Sequence, residues 1–327
     1  MPATLLLTRS DVAELLDLDT CISAVEAAFR LHGQGDAHTG VLGIPVPGGG
    51  FHIKAGMMRL SRPYFVAKTN ANFPNNPAQH GLPTIQGVVL LADAERGTPL
   101  ALLDSMEITT LRTGAATAVA AKYLAPERAS TVGLIGCGVQ GWVQLRAVAK
   151  VRPIRSARVF DRDRQHAEAL ARGLASELGI TIDVVKDPGS AARGSEIVVT
   201  CTSSHQPILD VADVDPRTFV AAVGADHPEK HEIAPALLAA SRVVVDIVDQ
   251  AATLGDLHHA IAAGVMTRGD VIELGQIVAG KVELPPPGAR VTVFDSTGMA
   301  LQDVAAAAAV FERAVAAGRG TPVHLAG

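Results

Sequence analysis

The apolar run Thr131-Val-Gly-Leu-Ile leads straight into Gly136-Cys-Gly-Val-Gln-Gly141, and the next apolar run, Ala157-Arg-Val-Phe, ends at Asp161. Three glycines at this spacing allow a tight turn from strand to helix, a close approach of another group to the backbone, and close packing of the helix on its strand. The unpaired N–H groups at the start of such a helix attract an anion. A carboxylate at the end of the second strand can accept from both hydroxyls of a ribose. Glycines alone are a weak signal, but strand, turn, helix, strand and acid in this order describe a dinucleotide-binding unit. Gly136, Gly138, Gly141 and Asp161 are its candidate residues. Asp161 repels a 2′-phosphate, so NAD(H) is expected; Arg162 and Arg164 could grip that phosphate and leave NADP(H) open.

Further strand-like runs at Glu196-Ile-Val-Val-Thr, Thr218-Phe-Val-Ala-Ala-Val, Arg242-Val-Val-Val-Asp and Arg290-Val-Thr-Val-Phe extend this unit into a doubly wound parallel sheet. Earlier in the chain, helical spacing between Ser10 and Gly33 predicts two short helices. Between Gly40 and Pro99, short β-type runs separated by Gly, Pro and Asn predict a mainly antiparallel sheet. The small residues from Ile108 to Ala125 predict a closely packed helix ending before Pro126, and the Ala-rich segment from Met299 to Ala317 predicts a last helix returning to the N-terminal domain. Leu284-Pro-Pro-Pro-Gly is expected to be a loop. The fold class is therefore α/β, with a Rossmann-type domain over residues 121–301 and an α+β domain made from 1–120 together with 302–327.

A length of 327 residues suits two domains, and a 48% hydrophobic content with only 3% aromatics suits helices packed on a parallel sheet. The net charge of −5 and the lack of a Lys/Arg run argue against nucleic acid as a partner. No apolar run is long enough for a membrane span and the N-terminal one is too short for a signal peptide, so a cytoplasmic protein is expected. Cys21, Cys137 and Cys201 are scattered and lack a metal-binding spacing, which predicts reduced thiols. His227 and His231, with Glu229 and Glu232, come nearest to a metal-ligand pattern. Pro228 interrupts the helix that would align them, so no metal is expected. The pair His258 and His259 fits a loop or a helix start.

Outside the glycine turn, the candidates for chemistry are Lys54, Lys68, Arg112 and Asp226. Asp226 follows the strand ending near Val223, and ligands of doubly wound sheets lie beyond the C-terminal strand ends. At this point the chain resembles the ornithine cyclodeaminase and mu-crystallin family, nearly end to end. The resemblance rests on the segments Tyr64 to Pro77, Gly81 to Gly87, Leu111 to Ala118, Gly136 to Gln140, Val223 to Lys230 and Phe294 to Asp303. That family includes alanine dehydrogenases and imine reductases. The resemblance implies that Lys68 and Arg112 meet the substrate carboxylate or the reacting centre, with Thr297 nearby, and that Asp226 relays protons. It also implies that Thr84, Arg112 and Thr113, then Val139, Gln140, Asp161 and Arg162, then Thr202 and Ser203, and finally Val223, Lys230 and Ser296, surround the dinucleotide. It makes the N-terminal domain the substrate and dimerisation domain, its sheet joining that of a second subunit in a homodimer.

Two departures bear on the substrate. Many members of this family carry an Arg just before the first strand of this sheet, where this chain has Ala37-His-Thr-Gly and His38 is the nearest basic residue. Ornithine-cyclising members carry an acid some way before the lysine, where this chain offers Lys54. A cation there favours a carboxylate and repels the terminal ammonium of ornithine or lysine. The expected activity is reversible hydride transfer between NAD(P)H and the C=N group of a small 2-imino acid. The alternative is a cyclodeaminase that keeps NAD bound. A non-catalytic binding role is the third reading, opposed by the retained Lys68, Arg112 and Asp226.

Overall fold

A computed structural model describes residues 3–284 and 290–325; beyond Leu284, the expected Pro-rich loop lies outside the described residues. In chain order the first elements are β1 (Thr4–Leu7), α1 (Arg9–Leu15), α2 (Leu18–Gln34), β2 (Ala37–Val46), β3 (Gly49–Arg59), β4 (Pro63–Asn72), α3 (Asn76–His80), β5 (Ile85–Asp93), β6 (Pro99–Asp104) and α4 (Ser105–Leu124). Then follow β7 (Thr131–Ile135), α5 (Val139–Val151), β8 (Ser156–Phe160), α6 (Arg164–Leu178), β9 (Thr181–Val184), α7 (Pro188–Ala192), β10 (Ile197–Thr200), β11 (His205–Leu209) and β12 (Phe219–Ala222). The last are β13 (His231–Ile233), α8 (Pro235–Ala240), β14 (Arg242–Val245), α9 (Val248–Leu254), α10 (Asp256–Ala262), β15 (Val271–Glu273), α11 (Leu274–Val278), β16 (Thr292–Asp295), α12 (Ala300–Ala317) and β17 (Thr321–Val323). Two compact units result, one of Met1–Arg112 with Met299–Gly327 and one of Thr113–Gly298; α4 runs from the first into the second.

In the first unit the strands form one sheet in the order β17-β1-β6-β5-β4-β3-β2. The pairs from β2 to β6 are antiparallel, while β1 joins β6 in parallel. Helix α12 packs on β3 and β4 and against α2. Its residues from Ala300 through Ala308 are all buried, the polar Gln302 and Asp303 among otherwise apolar side chains. Small side chains permit the approach, for a Cβ at Gly56 would lie 3.1 Å from that of Ala300. The Tyr64 hydroxyl donates to Glu312 at 2.9 Å and fixes the helix lengthwise.

The second unit is an all-parallel sheet in the order β15-β14-β16-β12-β10-β7-β8-β9. Strands β10, β12 and β16 are buried throughout, which explains their unbroken apolar runs. From β7 the chain moves outward to β8 and β9, then returns to place β10 on the other side of β7. That reversal opens a crevice at the C-terminal end of β7. Among the described residues, no helix is long and apolar enough to cross a membrane.

Candidate active site

The crevice holds the glycine turn. Gly136 has φ of 102°, a conformation open to glycine, and its N–H donates to the Phe160 carbonyl at the end of β8. A Cβ there would come within 2.8 Å of the Cys201 carbonyl beyond β10. One at Gly141 would overlap the Gly136 carbonyl, whereas Gly138 faces open space within 4 Å. Gly138 also precedes α5 without any side-chain cap, and Val139 beside it is 71% exposed. An uncapped, uncrowded helix start of this kind suits a pyrophosphate. Asp161 stands at the same end, its Oδ2 accepting from the Cys137 amide at 2.7 Å and its Oδ1 from the Asp163 amide at 2.8 Å. These two hydrogen bonds fix the carboxylate at the strand end, where it can accept from ribose hydroxyls. Arg162 next to it is exposed. Burial pushes the Cys137 thiol up to about 12, so it remains protonated and unreactive.

The first unit carries a cluster of cations. Lys54 on β3 and Lys68 on β4 are directly opposed in the ladder, which directs both side chains to one face. Lys68 is buried and its Nζ donates to Asp303 Oδ1 at 2.8 Å; Arg112 Nε lies 3.3 Å from the same oxygen, and Arg112 Nη1 donates to Gln302 at 3.0 Å. Burial depresses the Lys68 pKa to about 7 against the pull of Asp303, and the charges of Arg112 and Lys54 add to the depression. Burial opposes ionisation of Asp303, but Lys68, Arg112 and Lys54 together outweigh it and hold the carboxyl below its usual range. One carboxylate thus sits among three cations. The second Asp303 oxygen and the Gln302 amide nitrogen are buried without hydrogen-bond partners. The cations of the cluster, with the unused N–H of the Gln302 amide, are suited to a substrate carboxylate.

The structure brings Lys54, Lys68 and Arg112 together and adds Asp303 and Gln302, which the sequence reading did not single out. Their signal was present, because both close the segment beginning at Phe294. Thr84 lies between α3 and β5 in the same unit and accepts from the Phe73 amide. The other candidates belong to the second unit. Thr113 is buried in α4, and Ser203 is exposed beyond β10. Thr202 donates to Glu232 through both its amide and its hydroxyl. Val223 follows β12, its amide bonded to the Thr200 carbonyl. Asp226 is exposed and accepts from Lys230 Nζ at 2.6 Å, so two residues expected to serve different ligands hold each other. Ser296 and Thr297, both buried, donate to Asp246, and Gln250 donates to Thr297. His258 and His259 lie within the first turn of α10, and the rings of His259 and His231 stack at 3.9 Å. Among the described residues, no group of three or more His, Cys, Asp or Glu side chains is arranged to hold a metal ion.

The model of the ornithine cyclodeaminase/mu-crystallin family matches residues 3–318. An archaeal alanine dehydrogenase dimer with bound NAD superposes with a TM-score of 0.94 at 34% identity, covering 98% of this chain and 99% of the other. The Thermococcus litoralis Delta(1)-pyrroline-2-carboxylate reductase, in complex with NADH and L-proline, gives a TM-score of 0.93 at 32% identity, with 98% and 100% covered. The iminosuccinate reductase of Paracoccus denitrificans is 35% identical over 322 residues, 95% of this chain and 96% of the relative. By its motifs, its fold and its length, the chain belongs to the ornithine cyclodeaminase/mu-crystallin family.

Proposed function

We propose that the protein is a cytoplasmic, homodimeric enzyme that moves a hydride between NAD(H) and the imine carbon of a small 2-imino acid, giving the L-amino acid or, in reverse, oxidising it. The observation that carries this reading is the buried cluster of Lys68, Arg112 and Asp303 with Lys54 beside it. Its surplus of positive charge selects a carboxylate, and it occurs in a chain whose relatives include enzymes named for reducing carboxylated imines.

The glycine turn, the uncapped start of α5 and Asp161 fit a dinucleotide, and NADH supplies the hydride when bound. Lys68 and Arg112 hold the substrate carboxylate, Lys54 from β3 serves as the further anchor in place of the Arg missing near His38, and Thr297 lines the substrate side. Asp226, which is exposed, relays a proton from solvent to the nitrogen as the carbon is reduced. Thr84, Arg112, Thr113 and the crevice residues Gln140, Thr202, Ser203, Val223, Lys230 and Ser296 contact the dinucleotide. Edge strand β2 supports the dimer: ten residues long, it exposes Val41, Leu42 and Ile44 in the manner of a strand covered by a partner.

The test is turnover. Purified protein with NADH and a panel of 2-oxo acids plus ammonia or methylamine, together with cyclic imines, is expected to lose nicotinamide absorbance. Ammonia released from ornithine or lysine without net NADH consumption would instead identify a cyclodeaminase. Asp226→Asn is expected to abolish turnover and leave NADH affinity unchanged; full activity in that variant removes Asp226 from the mechanism.

A further inference from the structure

The second unit buries four acids, Glu232, Asp246, Asp256 and Asp295, at 0% exposure. Three of them form a chain in which each carboxylate grips the backbone of the next. Asp295, at the end of β16, accepts from the amides of Asp256 (3.2 Å) and Leu257 (2.8 Å) at the start of α10. Asp256 Oδ1 then accepts from the amides of Glu232 (2.8 Å) and Ile233 (3.0 Å) in β13. Glu232 completes the series. Its Oε1 accepts from the Thr202 amide (2.6 Å) and hydroxyl (2.7 Å), and its Oε2 from the Thr200 hydroxyl (2.7 Å) and the Gly224 amide (2.8 Å).

The last bonds fall where β10 and β12 stop pairing, since Thr200 and Ala222 are the final partners of that ladder. Beyond the Val223 amide, which still reaches the Thr200 carbonyl, Glu232 joins the two strand ends through both of its oxygens. Glycines make room for the arrangement. A Cβ at Gly224 would overlap Glu232 and the Thr202 carbonyl, and one at Gly255 would lie 2.5 Å from Asp295 Oδ2. Packing alone does not call for this, because buried carboxylates that meet only neutral donors cost more than apolar side chains of similar size. Other titratable groups packed around the chain are Asp246 at the end of β14, Cys201 beyond β10, His231 on β13, and His258 and His259 on α10. Burial raises Glu232, raises Asp256 well above the usual carboxyl range, and brings Asp295 to about 7. Asp256 Oδ2, which has no partner, is the atom placed to carry a proton.

We propose that Glu232, braced in turn by Asp256 and Asp295, is a positioning residue of the dinucleotide site. It sets the spacing of the β10 and β12 ends, and so the placement of Thr202, Val223 and Asp226, without itself meeting a ligand. This rests on the reading that the crevice binds NAD(H).

The experiment measures the NADH dissociation constant by nicotinamide fluorescence, which needs no turnover, across about pH 6 to pH 9. Glu232→Gln presents an amide to donors that require an acceptor, so NADH binding is expected to weaken about tenfold. The KM of the imine substrate at saturating NADH should hold steady. Wild-type affinity is expected to fall as pH rises through about 7, where Asp295 ionises beside two other acids, and Asp295→Asn should flatten that slope. Thr200→Val removes one donor from Glu232 at nearly constant volume and supplies the test should Glu232→Gln fail to fold. Wild-type affinity in a folded Glu232→Gln, or in Thr200→Val where only that variant folds, overturns the proposal; so does a pH slope unchanged in Asp295→Asn. A wild-type protein that does not bind NADH overturns the reading of the crevice instead.

Discussion

A lysine buried to 2% exposure beside an aspartate and an arginine cannot keep its solution chemistry, and Lys68 is the residue through which pH should act on the imine substrate. Its pKa of about 7 means that in the free enzyme the charged form is lost as pH rises through neutrality. If the charged form holds the substrate carboxylate, kcat/KM for imine reduction falls above about pH 7, while the limb in kcat lies higher because the bound anion restores the charge. Lys68→Arg stays charged throughout and should lack the neutral limb; a limb retained in that variant assigns it to another group. Lys54→Ala should raise the substrate KM roughly tenfold with the dimer intact, and an unchanged KM excludes Lys54 from the carboxylate site. Lys68 and Arg112 were recognisable in the sequence as residues of family segments, and Lys54 as a departure from the family's pattern. Their common partner was not, because Asp303 reaches them only after the chain has built the whole second unit and returned.

At the scale of elements, the order of strands and helices follows closely from apolar periodicity and glycine placement. The turn at Gly136 is the strongest case, since positive φ and the nearby Cys201 carbonyl both exclude a side chain. Gly136→Ala should destabilise the protein by roughly 1–3 kcal/mol and weaken NADH binding, seen as a lower melting temperature and a higher dissociation constant. An unaltered melting temperature would mean that the turn relaxes freely. Less was legible where elements are short or polar. Nothing in the spacing of the segment from Asp226 to Glu232 marked Glu232 as a buried acid. The segment folds as a turn into β13, with Glu232 drawn inward by four neutral donors. Spacing identifies neighbours one helical turn apart, but not a partner that another strand brings in.

For the molecule as a whole, the exposed apolar edge of β2 bears on assembly. Light scattering is expected to give the mass of a dimer, and Leu42→Asp combined with Ile44→Asp should shift it toward the monomer. A wild-type protein that is monomeric at micromolar concentration contradicts the assembly. The α/β class, the nucleotide turn and the family were available from the sequence because they depend on local pattern: apolar residues in runs or at helical spacing, glycines at a tight turn, and segments read in order. The partners of Lys68 and Arg112, the position of β16 between β12 and β14, and the brace from Asp295 to Glu232 were decided by tertiary structure alone. The physical reason is that a buried charge is stabilised by whatever donors and countercharges surround it in space, and those surroundings are assembled from strands and helices far apart in the chain.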